Sequence, residues 1–403
     1  MTTYLDLINQ DLEEVNLHHY WPSFEMVAYA LYDTTNVYLF NHPRFKDKQE
    51  NTYQVLKRDE QFNGCTLLLF ENYPTAIVDL ELYVDYESLY SILVHELFHG
   101  FQYVKGEKRF PNEILGITYP LTKENVELRN LERKYLYNAL LETNTLKKKE
   151  YLNAFIGLRE KRLSIIPDYL LYENLVETVE GPAWYVEVKA YVEKSPLAYD
   201  SVLQKYGQGL LNKYESTSTI RKSCYSSGLF MCLLLDELSP DWRESFLGTE
   251  ETLYDLFKQH LDDYIVNPIE QIEISPETEE VINFALENRK KEFEKFEEQK
   301  GIHLFIDGEI IAKSFDPMNI ISLGDRLLHK NFLKVGINNK DYLFQQPVIV
   351  DCKGSFQNID KLHLIVKDRP IENIDSLTVE GVGEIKGRYV KQEDRYHLFV
   401  TSN

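Results

Sequence analysis

The hydrophobic period switches repeatedly along the chain. Residues 1–20 place apolar positions at helical spacing and predict a short amphipathic helix ending near His18 and His19. From Glu25 the pattern is strand-like: MVAYALYD and VYLFNH, joined through TTN, predict a hairpin. CTLLLF (65–70) and AIVDLEL (76–82) predict two more strands around a Tyr73-Pro74 turn. Beyond residue 85 the spacing is helical, with helices predicted over 88–103, 123–142, 146–163, 168–193, 224–238, 251–263 and 275–299. The last is densely charged (ENRKKEFEKFEEQKG) and reads as a solvated connecting helix. At Gly301 alternation returns: IHLFID and IIAKSF flank an Asp307-Gly308 hairpin signal, and VIVDC, LHLIV, SLTVEG, GRYV and YHLFV predict further strands. The expected fold is α+β: a β-rich lobe over 1–84, a helical region over 85–300 and a small all-β domain, sandwich or barrel, over 301–403.

One helix departs from its own pattern. In SLYSILVHELFHGFQY (88–103), Leu89, Ile92, Leu93, Leu97 and Phe98 cover most of the circumference, with Asp85 where an N-cap belongs and Glu87 in the first turn. A helix that is apolar nearly all round is buried, and buried polar groups need partners. His95, Glu96 and His99 therefore call for a ligand. Four apart, the two histidines share a helix face at about 5–6 Å between Cβ atoms, from which two imidazoles converge on one metal ion. H-E-x-x-H on a helix is a zinc-hydrolase arrangement, with His95 and His99 as metal ligands and Glu96 as the base for the water that the metal activates. His18 and His19, adjacent on a helix, point apart and read as surface residues.

A catalytic zinc needs three protein ligands and one open position. HELFHGFQYVKGEKRF holds no third histidine, which leaves a glutamate on a later helix, and 168–193 offers Glu173, Glu177, Glu180 and Glu187. Glu180 is preferred: it lies among Val176, Val179, Ala183 and Trp184, and Gly181 after it admits a close backbone. Glu177, one turn earlier, stays open as an alternative ligand or as a residue orienting His95 or His99.

HELFH together with VEGPAWYVE resembles the gluzincin metallopeptidases, in particular the aminopeptidase-N-like group, over roughly residues 67–246. The resemblance implies that Glu180, heading an E-G-x-A-x-Y segment, is the third Zn2+ ligand. It implies too that Tyr225, which with Gly228 forms a Y-x-x-G segment in CYSSG, stabilises the oxyanion. In this class of fold an edge strand ahead of the metal helix pairs with extended substrate, and AIVDLEL is expected to be that strand. Two departures stand out. The stretch between His99 and Glu180 is longer than in that group, implying inserted helices, and no G-x-M-E-N segment precedes the metal helix to hold a substrate amino terminus.

Composition narrows the partners. A formal charge of −21, from 44 basic against 65 acidic residues, disfavours nucleic acid and anionic membranes. MTTYLDLINQDLEE lacks the basic start and apolar core of a secretory signal, and no apolar run reaches the ~18–20 residues that span a bilayer. The cysteines, Cys65, Cys224, Cys232 and Cys352, are scattered and read as reduced, so a cytoplasmic location is expected. The expected function is a zinc-dependent metallopeptidase acting on a peptide or protein substrate. Two rivals remain: a binding or scaffold protein with a structural or vestigial metal site, and a zinc amidase on a non-peptide amide. A base beside the ligands and only three obvious ligands argue against a structural site, which usually closes with a fourth.

Overall fold

The computed structural model describes residues 2–48, 52–261 and 272–400. The fold is α+β, with helices and a mixed sheet in a first unit, Met1–Pro111 with Glu124–Ile274, and a sheet-rich second unit, Asn112–Lys123 with Ser275–Asn403. In the first unit β1 (Ala28–Tyr32), β2 (Asn36–Phe40), β3 (Gln54–Lys57), β4 (Thr66–Phe70) and β5 (Tyr73–Asp79) form a sheet in the order β3-β2-β1-β5-β4. β1 pairs with β5 in parallel, and every other pairing is antiparallel. Alternation assigns the faces. Tyr29 and Leu31 join one core with Val78, while Ala30 and Tyr32 join another with Ile77, Phe62 and Phe70.

The β1–β2 hairpin matches the expectation, but two details of the next pair do not. The turn falls on Glu71 and Asn72, both left-handed (φ 47° and 64°), between the paired Phe70 and Tyr73; Pro74 lies inside β5. A two-residue turn of this kind matches the strand twist, and asparagine tolerates the left-handed region. The segment Ala76–Leu82, expected at the sheet edge, contributes β5, which is flanked by β1 and β4 and is buried along most of its length. The edge beside it is β4.

Helix α1 (Thr2–Glu14) seats Leu5, Ile8 and Leu12 in the first core and ends before His18, which follows in a short 3-10 turn. α2 (Tyr86–Val104) packs its Leu89, Leu93, Leu97 and Phe98 into the same core. The short α3 (Glu113–Ile117) belongs to the second unit. There follow α4 (Lys123–Leu141), α5 (Thr145–Ile165), α6 (Pro167–Lys194), α7 (Tyr199–Leu211), α8 (Glu215–Ser218), α9 (Ile220–Leu238), α10 (Arg243–Phe246) and α11 (Leu253–Gln259). The last of these answers the helix expected over 251–263, of which positions 262–263 lie outside the described residues. Among the described residues no helix is long and apolar enough to cross a membrane.

α4, α5 and α6 are joined by buried charge. Arg159 grips Glu177 with two bonds of 2.6 and 2.8 Å, Arg162 reaches Glu132 at 2.6 Å and also Glu173, and Arg129 reaches Glu173 at 2.9 Å. All six side chains are buried. Ions removed from water persist only when paired, so each of these glutamates is committed to an arginine.

In the second unit α12 (Pro276–Glu297) is capped by Ser275 and packs Phe293 and Phe296 against Leu328 and Ile349, so the charged helix has an apolar seam. It answers the helix expected over 275–299 but belongs with the second unit. β6 (Ile302–Phe315) runs through the expected Asp307-Gly308 hairpin without turning back. Gly308 (φ 143°) and Glu309 instead form a bulge opposite Asp360, and a Cβ on Gly308 would meet the Val400 carbonyl oxygen at 2.3 Å. Before the bulge β6 pairs with Arg395–Phe399, and after it with Leu333–Ile337, so the nine-stranded sheet branches there. Leu304, Ile306, Leu362, Leu364 and Leu398 line its core, and a three-stranded sheet accompanies it.

Candidate metal centre

α2 starts where Asp85 accepts the amide of Ser88 at 2.8 Å, and it carries His95 and Glu96 into the interior at 4% and 5% exposure. α6 crosses it and is crossed in turn by α9. At the second crossing Gly181 of α6 faces Gly228 of α9, where a Cβ on either would lie 2.7 Å from the other's Cα. Only paired glycines allow that approach, which brings Glu180 and Tyr225, each beside its glycine, to one place.

The two imidazoles meet at Nε2, 3.0 Å apart, and Glu180 Oε2 stands 3.3 Å from His99 Nε2 and 3.6 Å from His95 Nε2. The far nitrogens fix the tautomers. Gln102 Nε2 donates to the Val179 carbonyl at 2.9 Å, so its Oε1 faces His99 Nδ1 at 2.8 Å, which must carry the proton. His95 Nδ1 likewise donates to Glu187 Oε2 at 2.9 Å, and Glu187 Oε1 accepts from Tyr206 at 2.9 Å. In their neutral form, histidines so held would turn two bare Nε2 lone pairs on each other, with a carboxylate oxygen beside them. Three facing acceptors repel unless a cation lies between them. Glu180 Oε2 is buried and has no hydrogen-bond partner.

The electrostatics agree. Burial alone would lower the His95 pKa, but the Glu180 and Glu187 carboxylates outweigh it and lift it to about 10, so without a metal a proton settles at this spot. Burial pushes Glu180 up, and His99, His95 and Arg221 bring it well below the usual carboxylate range. Glu96 is raised, chiefly by burial. Tyr225 is also raised by burial and by the Glu180 carboxylate, so its phenol stays protonated and able to donate. Arg221 donates to Tyr225 Oη and, at 2.9 Å, to Glu180 Oε1.

Of the residues read from the sequence, His95, His99 and Glu180 come together as a metal-sized cluster, with Glu96 on the same helix and Tyr225 linked to it through Arg221. Glu177 and Glu173 do not join them, being held by Arg159 and by Arg129 with Arg162. Orienting the histidines, the part left open for Glu177, falls to Glu187 and Gln102. Sequence reasoning missed Gln102, Tyr206 and Arg221. Spacing carried a signal for two of them, since Gln102 is one turn after His99 and Arg221 one turn before Tyr225. Compared with protein-family models, curated proteins and solved structures, the chain matches none.

Proposed function

We propose that this chain is a zinc-dependent metallopeptidase of the gluzincin kind, with His95, His99 and Glu180 as metal ligands. The observation that carries the reading is the set of three acceptors turned on one point, with the lone pairs of His95 and His99 aimed there by Glu187 and Gln102. Two imidazoles and one carboxylate are a zinc donor set, and a zinc ion held there supplies a Lewis acid and lowers the pKa of water to ~7. Glu96, buried on the same helix as the two histidines, takes the proton of the attacking water and passes it to the leaving amine. Tyr225 donates its phenol hydrogen to the oxyanion without adding a charge. β4, the exposed edge beside β5, offers unpaired backbone groups to an extended peptide, the part earlier expected of Ala76–Leu82. Four unpaired cysteines fit a reducing, cytoplasmic setting.

The test is incubation of the zinc-loaded protein with a quenched-fluorescent peptide library, beside Glu96→Gln. Cleavage by the wild type that chelation stops and Glu96→Gln lacks is expected. A zinc-loaded wild type that cleaves no peptide overturns the peptidase reading.

A further inference from the structure

Glu180 divides its two oxygens between two neighbours. Oε2 faces the histidine pair and has no hydrogen bond, while Oε1 accepts from Arg221 at 2.9 Å. The same guanidinium donates through its other terminal nitrogen to Tyr225 Oη. Arg221 sits one turn before Tyr225 on α9, and its side chain is 27% exposed against 6% for Glu180, so the carboxylate is the more buried partner of the pair. A carboxylate on a freely rotating side chain presents either oxygen, or both, to a cation. One whose far oxygen is fixed by a planar donor presents only the near one. The phenol is fixed in the same way: its oxygen accepts from Arg221, so its own hydrogen points elsewhere.

We propose that Arg221 is a positioning residue of the metal centre, whose one guanidinium holds the third ligand by its non-ligating oxygen and sets the donor direction of Tyr225. This rests on the metal reading above and goes beyond it, since nothing in the H-E-x-x-H or E-G-x-A patterns calls for an arginine. Partners of metal ligands typically change metal affinity by about 10–100-fold. Charge and positioning predict opposite signs here. If Arg221 were only a cation beside a dication, its removal would tighten metal binding; if it positions Glu180, its removal weakens it.

The experiment is titration of the metal-free 403-residue chain with Co2+, followed by its visible absorption, for wild type, Arg221→Met, Arg221→Lys and Tyr225→Phe. Wild type is expected to bind with a defined visible band. Arg221→Met is expected to bind about 10–100-fold more weakly with an altered band, and Tyr225→Phe to keep the wild-type affinity. Arg221→Lys, whose single ammonium reaches Glu180 but not both groups, should fall between. Should Arg221→Met fail to fold, Arg221→Lys decides alone by the same two readouts. Unchanged or tighter Co2+ binding with the wild-type band in a folded Arg221 variant overturns the role given to Arg221 and leaves the metal reading standing. A wild type that takes up no Co2+ overturns both.

Discussion

Glu177 and Glu180 lie on the same helix, and their neighbours give them opposite tasks. Glu177 is fully buried between Arg159 and Ser227, whereas Glu180 turns an unpartnered oxygen to the histidines. Glu177→Gln therefore leaves Arg159 only its longer pairing with Glu132, at 3.4 Å, and is expected to cost about 1–3 kcal/mol of stability, read as a lower urea midpoint, while zinc stoichiometry in the folded protein is unchanged. A zinc-free but otherwise stable Glu177→Gln contradicts this. Glu96→Gln should do the reverse, retaining zinc and stability while turnover falls about 10²–10⁴-fold. His95 and His99 were legible because helix geometry alone puts them on one face, and Glu96 through its place in the H-E-x-x-H pattern. Glu180 was legible through the glycine beside it. Glu187, 92 residues from His95, was not assignable, because spacing along one helix says nothing about which helix will cross it.

Elements are placed by a few backbone contacts. The Gly181–Gly228 crossing sets the distance between α6 and α9, and no side chain fits between them. Gly228→Ala is expected to destabilise by about 1–3 kcal/mol, the usual range for overpacking, and also to weaken zinc binding, because Glu180 sits next to the crossing. Equilibrium denaturation and metal titration on the same variant check both; a variant as stable as wild type means that the helices give way easily. Helix positions were largely readable from period and caps, and the strands mostly from alternation. Pairing partners were not. β5 became interior rather than edge through its parallel pairing with β1, a contact between distant segments. The Asp307-Gly308 signal was a bulge because Val400 closes over Gly308, which local sequence cannot announce.

Across the whole molecule, the charge that composition places on the surface is partly inside. Against burial, which pushes its carboxyl up, Glu173 is held well below its ordinary 4.5 by Arg129, Arg162 and Arg159. A carboxyl whose folded pKa is depressed contributes stability that is full above the unfolded value and is lost as pH falls toward the folded one. The urea midpoint is therefore expected to hold near neutrality and to decline below about pH 5. Relief of repulsion among the excess acidic groups acts the other way, but exposed pairs count for about 0–1 kcal/mol and buried ones for several. A midpoint that rises on acidification from pH 6 to 4 means that surface repulsion wins. The α+β class and the change to strands after residue 300 were readable from the sequence. The buried arginine–glutamate core was not, since those residues look like solvated faces until their partners are known.

The central claim is that His95, His99 and Glu180 hold one metal ion. Its most direct test is elemental analysis of protein saturated with zinc and then dialysed, for wild type, Glu180→Gln and Glu177→Gln. About one zinc per chain in wild type and Glu177→Gln, with loss in Glu180→Gln, is the expected result. Wild-type protein without zinc, or Glu180→Gln retaining as much as wild type, contradicts it.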